Sequence, residues 1–388
     1  MLKQFIILLN LFSSYSLRIT LHPLESKIAY IDGIKNINKL DHIMINDLKG
    51  LFNSHPLLIF KNVDQISPKE FINFLTYFDK DYDQEALNNP DKYPNQMLQP
   101  FDQFPDCKHV APRGNVELDN FYNINNIKIK PSDTFINNYL WHVDLLGHEY
   151  KLPNVITGFY IVENPLIGGD TDFISGEKIY ETLSPELKDA CHNMLVEINR
   201  NKFIVKHKVI DYSGSSRVEH FEEVDKGQTY LPLVFAPDNV NESPRILVLP
   251  SFFERVVGWS VDESRKWIKQ FMHNHVLPHR VSIQWKKGDL AIFNNRRFMH
   301  SSTPARNYLD FPESSKRLLL QTFLPTKRAL LGIKPLNYDN KTLSNVNWTD
   351  QSNSIRTSNE YMKFVTNKSI LKSNETLDER YYMLSSLK

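Results

Sequence analysis

The segment Trp141-His142-Val143-Asp144 sets an imidazole and a carboxylate two residues apart. On extended backbone, side chains at i and i+2 leave the same face, so both can reach one metal. A distant third residue, His300, would complete a set of two histidines and one carboxylate. That facial arrangement suits non-haem Fe(II) and leaves three positions open. An H-x-D pair alone is common by chance, and its bland reading is a surface histidine beside an aspartate.

The elements that would carry these residues are short and β-like. Val155–Val162, Arg245–Leu249, Val281–Trp285, Asp289–Asn295 and Arg317–Phe323 are apolar runs bounded by turn residues, which predicts strands. Pro56–Val63 reads as a further buried strand. At Ser67–Phe78, Ser67 suits an N-cap, Pro68 suits N1, and Phe71, Phe74, Leu75 and Phe78 recur at helical spacing. Helices are also expected at Ser184–Asn193 and Asp262–His273, while residues 79–137 read as long polar loops around short strands. Many short strands with Gly/Pro turns point to a sandwich, barrel or jelly roll.

The bulk properties of the 388 residues narrow the function to a site. A 41% hydrophobic and 23% charged chain is an ordinary globular composition. A formal charge of +1 provides no field to recruit nucleic acid or an anionic membrane. No apolar run reaches the roughly 18 residues that span a bilayer. There is no Gly-rich phosphate loop, dinucleotide fingerprint or nucleophile elbow. Cys107 and Cys191 form no metal-type pair and read as free thiols, with a single disulfide as the alternative. Residues 1–16, with Lys3 before the apolar run Phe5–Phe12, read either as a buried element or as a signal-like segment. The expected compartment is the cytoplasm, with a secretory route through that segment as the alternative. The expected domain spans 17–326, followed by a polar extension at 327–388. The oligomeric state is not legible.

Beyond the H-x-D, the chain carries "NNYLWHVD", "ENPLIGGDTDFISGEKIYETLSPELKD" and "WKKGDLAIFNNRRFMH…RLLLQTF" in that order. Together these resemble the taurine dioxygenase (TauD/TfdA-like) group of Fe(II)/2-oxoglutarate oxygenases over roughly Leu17 to Pro325. The resemblance implies a mainly β double-stranded β-helix (jelly roll) with flanking helices. It also implies a dioxygenase using Fe(II), 2-oxoglutarate and O2 to hydroxylate a small organic substrate with release of succinate and CO2. By this resemblance His142, Asp144 and His300 hold iron, while Arg317 and Thr171 bind the far carboxylate of 2-oxoglutarate. A guanidinium fork suits a carboxylate better than an ammonium does. The bland readings are a surface salt bridge for Arg317 and a turn residue for Thr171.

The substrate side departs from that group. The family's second Arg, four residues beyond the cosubstrate Arg, grips a sulfonate; here the position is Gln321. Its sulfonate-binding His has no counterpart, and the segment Asp79–Glu85 is acidic. Asn138 matches a substrate-contacting Asn. Taurine is therefore not the expected substrate. A group that is neutral, or cationic, at the end facing Gln321 is expected, unless Arg306 supplies a positive charge from another direction. His273, His275 and His279 form a second histidine group, read as a solvated helix end and not as a metal site, and Arg297 is read as a loop brace. Two other readings remain at this level: a catalytically silent jelly-roll binding protein, and a cupin-like metal enzyme without 2-oxoglutarate.

Overall fold

The computed structural model describes residues 17–89, 104–129, 141–144, 154–192 apart from 167, 253–302 and 316–326, with shorter stretches at 6–7, 194–199, 208–210, 216–218, 228–235 and 242–247. Two sheets carry the architecture. The larger is built from β1 (Ile6–Ile7), β2 (Arg18–His22), β3 (Glu25–Asp32), β4 (Leu57–Phe60), β5 (Val110–Gly114), β6 (Ile156–Glu163), β9 (Leu290–Asn294) and β11 (Leu318–Phe323). Its spatial order is β1-β2-β3-β4-β9-β6-β11-β5. The smaller sheet has β7 (Thr171–Ser175) between β8 (Val281–Ile283) and β10 (Phe298–Ser302). Neighbouring strands are antiparallel except for β3 and β4.

Alternation along the strands separates three cores. Residues Ile59, Phe159, Ile161, Ala291, Phe293 and Leu319 of the large sheet face Phe173, Val281, Ile283 and Phe298 of the small one and fill the interior of the roll. Their neighbours Leu58, Phe60, Ile156, Tyr160, Leu290, Ile292, Leu318 and Leu320 point outward, under two helices. One helix, α1 (His42–Ser54), buries Met44, Leu48 and Phe52, a stripe at four-residue spacing. The other, α2 (Pro68–Leu75), starts in a capping box in which Ser67 and Glu70 satisfy each other's backbone N–H groups. A Cβ at position 158 would lie 2.7 Å from Leu75 and 2.8 Å from Phe71, so Gly158 lets α2 settle directly onto β6. With both faces covered, β6 and β9 read as continuous apolar runs, not as alternating ones.

The outer face of the small sheet, including Ile174 and Met299, packs on a third core. That core takes in α4 (Gly176–Thr182), α5 (Pro185–His192) and α6 (Val261–Phe271); α3 (Gln84–Asn88) lies elsewhere, after α2. The fold is thus a jelly roll with flanking helices, as the strand pattern and the resemblance led us to expect. Both cysteines are free thiols. No described helix is long and apolar enough to cross a membrane. Residues 327–388 and most of 1–16 lie outside the described residues.

Candidate metal centre and its surroundings

The extended segment 141–144 is pinned by one antiparallel bridge. His142 N–H donates to His300 O at 3.0 Å, and His300 N–H donates back to His142 O at 2.9 Å. Alternation then does the sorting: Trp141 and Val143 are buried in the helix-side core, while His142 and Asp144 point the other way, toward His300. His142 Nε2 lies 3.4 Å from Asp144 Oδ1, and His300 Nε2 lies 3.4 Å from Asp144 Oδ2. The three prospective ligand atoms fall within 4.8 Å of one another, and they form the one such group of three among the described residues. The second histidine group does not converge in this way. His279 instead meets the Thr182 hydroxyl at 2.8 Å, and His275 lies against the ring of Phe271.

A layer of amides and hydroxyls fixes the carboxylate. The Asn295 side chain accepts the Asp144 N–H at 2.9 Å and donates to the Asp144 carbonyl at 2.9 Å. Thr157 Oγ1 donates to Asp144 Oδ2 at 3.2 Å and itself receives a hydrogen bond from Asn154 at 2.8 Å. Burial alone would push the Asp144 carboxyl up, but the His300 and His142 rings and the Thr157 hydroxyl outweigh it and hold the carboxyl below its usual range. Burial pushes the His300 imidazole down to about 3, against the pull of Asp144, so the ring is neutral at working pH. A neutral imidazole beside an ionised carboxylate is the donor set a divalent metal requires. The ring is wedged among Phe159, Phe173 and Phe293, at centroid distances of 6.2, 5.9 and 5.1 Å. Sequence reasoning found none of Asn154, Thr157 or Asn295, because an amide or hydroxyl supporting a ligand has no spacing rule.

Arg317 and Thr171 enter the same interior from different sheets. Arg317 is 6% exposed and lies immediately before β11. Its backbone is clamped by Asn115, whose side chain accepts the Arg317 N–H at 2.6 Å and whose own N–H donates to Arg317 O at 3.0 Å. Gly114 permits this approach: a Cβ there would sit 1.8 Å from Arg317 O, and its φ is +151°. Burial lowers the guanidinium to about 10, with Asp170 opposing the shift, so Arg317 remains a cation at neutral pH. Thr171 is 3% exposed and begins β7, two residues before Phe173. Trp285 Nε1–H donates to Thr171 Oγ1 at 2.9 Å, which leaves the Thr171 hydroxyl proton to be donated elsewhere. A buried cation and an oriented hydroxyl fit the distal carboxylate of a dicarboxylic acid that chelates the metal at its other end.

Asn138 and Arg306 lie outside the described residues. The acidic segment is spent on local structure: Asp83 caps α3, and its N–H donates to Pro325 O. Arg297 is the expected brace, holding Glu177 through two guanidinium nitrogens. Gln321 does face the interior, paired in register with Phe159, and its side chain is met by Arg113, a residue that no motif singles out.

Comparison with known proteins agrees with this geometry. Residues 23–323 match the taurine catabolism dioxygenase TauD, TfdA family. An alkylsulfatase of Acinetobacter baylyi is 29% identical over 172 residues, covering 41% of this chain and 50% of that protein, so the match spans half the length of that relative. The alpha-ketoglutarate-dependent xanthine dioxygenase xan-1 of Neurospora crassa is 23% identical over 367 residues, covering 77% of this chain and 84% of its own. Among solved structures, a taurine dioxygenase from Burkholderia xenovorans shares the fold at TM-score 0.53 and 18% identity, over 77% of this chain and 86% of that one. AAD-2 in complex with Mn(II) and N-oxalylglycine does so at TM-score 0.55 and 14% identity, over 81% and 100%. With that match running through the metal centre and both sheets, the chain belongs to the taurine catabolism dioxygenase (TauD, TfdA) family, whose members use Fe(II), 2-oxoglutarate and O2.

Proposed function

We propose that this protein hydroxylates a small organic substrate, with His142, Asp144 and His300 holding Fe(II) and with Arg317 and Thr171 holding the 5-carboxylate of 2-oxoglutarate. The observation that carries the reading is the convergence of three ligand atoms within 4.8 Å in a roll that also buries the Arg317 cation. Bound together, Fe(II), 2-oxoglutarate and O2 supply the oxidation, yielding succinate, CO2 and a hydroxylated product. The protein supplies position and dryness. Asn295, Thr157 and Asn154 hold the Asp144 carboxylate in one orientation. Trp285 turns the Thr171 hydroxyl toward the carboxylate that Arg317 neutralises. Phe159, Phe173 and Phe293 exclude water from the His300 side. The named relatives act on different compounds, and Gln321 stands where a sulfonate-gripping Arg would, so taurine is not carried over as the substrate.

Anaerobic titration of the protein with Fe(II) and then 2-oxoglutarate tests this. A metal-to-ligand charge-transfer band that saturates at one equivalent is the expected result. Iron binding without the band would favour a metal enzyme that does not use 2-oxoglutarate. Binding of neither would leave a silent jelly roll. A substrate screen scored by succinate release then identifies the compound.

A further inference from the structure

The outer face of the large sheet carries a cleft that the metal centre does not use. On β6, Phe159 points into the roll, where its ring contacts His300, while Tyr160 and Val162 point the other way. A cleft of about 400 Å³ opens on that outer side. It is lined by Tyr160 and Val162, by Phe121 and Tyr122, and by the chain as it leaves β4 and as it enters β9. Its volume falls in the range of small-molecule sites. The sheet itself stands between the cleft and His300.

Its walls are fixed by hydrogen bonds. Val63 N–H donates to Gly288 O at 2.8 Å, and Gly288 N–H donates to Ile161 O at 2.8 Å. A Cβ at position 288 would lie 2.9 Å from Val63 O, and the φ there is +82°, so only glycine lets these segments close up. Tyr122 has a φ of +46°, a conformation that a bulky residue rarely adopts. Such strain persists only where the surroundings hold it. Here Tyr122 Oη–H donates to Ile66 O at 2.8 Å and its oxygen accepts from Gln65 Nε2 at 3.0 Å. Phe121 packs against the Tyr122 ring at a centroid distance of 4.7 Å, and both rings are half-buried. Tyr160 Oη–H donates to Asp64 O at 3.1 Å. Both phenol protons are thus spent on backbone carbonyls, and the tyrosines offer the cleft their rings.

The charge at the cleft is positive. Lys287 is the one charged side chain in its lining; it is exposed and has no carboxylate partner among the described residues. A second ammonium, that of Lys35, donates to the carbonyl of the lining residue Asn62 at 3.0 Å. Against these two stands Asp64, which is exposed and does not line the cleft. Burial, with Tyr122 and Asp64 adding to it, pushes the Tyr160 phenol up to about 12, so that ring stays neutral and does not repel an anion. We propose that this cleft is a second ligand site, separate from the metal centre, and that it takes an aromatic carboxylate, its ring against Phe121, Tyr122 and Tyr160 and its carboxylate at Lys287. Three aromatic rings favour a flat, ring-bearing molecule over a flexible chain of equal polarity, because rings gain from edge and offset contacts beyond the area they bury. A carboxylate at Lys287 is complemented, whereas an ammonium meets a like charge.

The test titrates 2-naphthoate, 2-naphthalenemethanol, 2-naphthalenemethylamine and octanoate calorimetrically into the full chain. Titrations are run with and without Mn(II) and N-oxalylglycine, which occupy the metal centre and the Arg317 end. 2-Naphthoate is expected to bind most tightly of the four, at one equivalent, and with the same affinity in both forms of the protein. In Lys287→Gln its affinity should fall on the order of 5-fold, the scale of a solvent-exposed ion pair, and further in Lys287→Glu, while that of the alcohol is unchanged. Val162→Phe, which fills the cleft from the half-buried end of β6, should abolish binding of both. Melting temperature and succinate release should be unchanged in the two Lys287 variants. No binding of 2-naphthoate, equal binding of the acid and the amine, or octanoate binding as tightly as 2-naphthoate would overturn the proposal. So would an affinity that is the same in the unmodified protein, Lys287→Glu and Val162→Phe, or one lost when N-oxalylglycine is present, since either would place the acid elsewhere.

Discussion

Two buried polar clusters stand close together in this fold and are built on opposite principles. Around Arg297, acids and bases are matched. Glu177 is fully buried and takes two hydrogen bonds from Arg297 and a salt bridge from Lys27 at 2.9 Å. Arg297 also reaches Glu242 at 3.2 Å and the Asn53 carbonyl at 3.1 Å. Three residues along the chain, at His300, donors of one kind converge instead: two imidazoles and a carboxylate aim their lone pairs at one point. The first cluster ties α4 and the turn before β10 to β3, to the end of α1 and to Glu242; the second holds a place for something else. The difference teaches how to separate a brace from a site when both are buried and ionic. A brace completes its own charge balance, while a site is completed by a ligand.

The comparison can be broken most easily at the metal centre. His142→Ala, Asp144→Ala and His300→Ala should each abolish substrate-dependent succinate formation and Fe(II) binding, because two remaining ligands hold the metal too weakly. The melting temperature of the metal-free variants should change less than that of Glu177→Gln. Retained iron binding in any one of them would remove that residue from the ligand set. Glu177→Gln should do the reverse, losing about 3–5 kcal/mol of stability, the usual cost of stranding one partner of a buried pair. Denaturant unfolding reads this, and the variant should still give the charge-transfer band below its transition.

Next in size is Arg317→Ala, expected to weaken 2-oxoglutarate binding by about 2–5 kcal/mol with Fe(II) affinity unchanged. An unaltered 2-oxoglutarate affinity would show that the cation is another brace. The Glu177 cluster also has a pH signature. Burial pushes the Glu177 carboxyl up, but Arg297 and Lys27 prevail and hold it below 4.5. Its contribution is therefore complete above that ordinary value and is lost as pH falls through the lower folded value. The stability gap between the unmodified protein and Glu177→Gln should be constant near neutrality and narrow in acid. A gap independent of pH would rule out the ionised pair as its source. The smallest effect is expected at Trp285→Phe, which removes the indole N–H from Thr171. A loss of about 1 kcal/mol in 2-oxoglutarate affinity is expected, the net worth of one neutral hydrogen bond.

The sequence by itself carried the strands that end in the site. Ile156–Glu163, Leu290–Asn294 and Leu318–Phe323 were legible as apolar runs because both of their faces are covered. The helix at Pro68–Leu75 was legible from its cap. The H-x-D pair and the distant histidine were legible because ligand chemistry restricts residue type. Other elements were hidden. The helix His42–Ser54 is not among the elements expected from the sequence, since its buried stripe of Met44, Leu48 and Phe52 is interrupted by polar residues on every turn. Val110–Gly114 contains a proline and a glycine and read as loop, although as an edge strand it can carry both.

What only the tertiary structure decided is which side chains meet. Residue type and spacing placed His142 and Asp144 on one face, because that relation is local to four residues of extended chain. Nothing local relates Asn295 to Asp144, Trp285 to Thr171 or Arg113 to Gln321; each pair is joined by strand register across a large sequence separation. Judged from its own strand, Gln321 argued for a substrate end that is neutral or cationic. Register brings Arg113 of the neighbouring strand to its side chain, a contact that Gln321's own strand does not announce. A sequence therefore states which chemical groups a site has available, but the charge a ligand meets is a sum over strands, and only the folded pairing performs that sum.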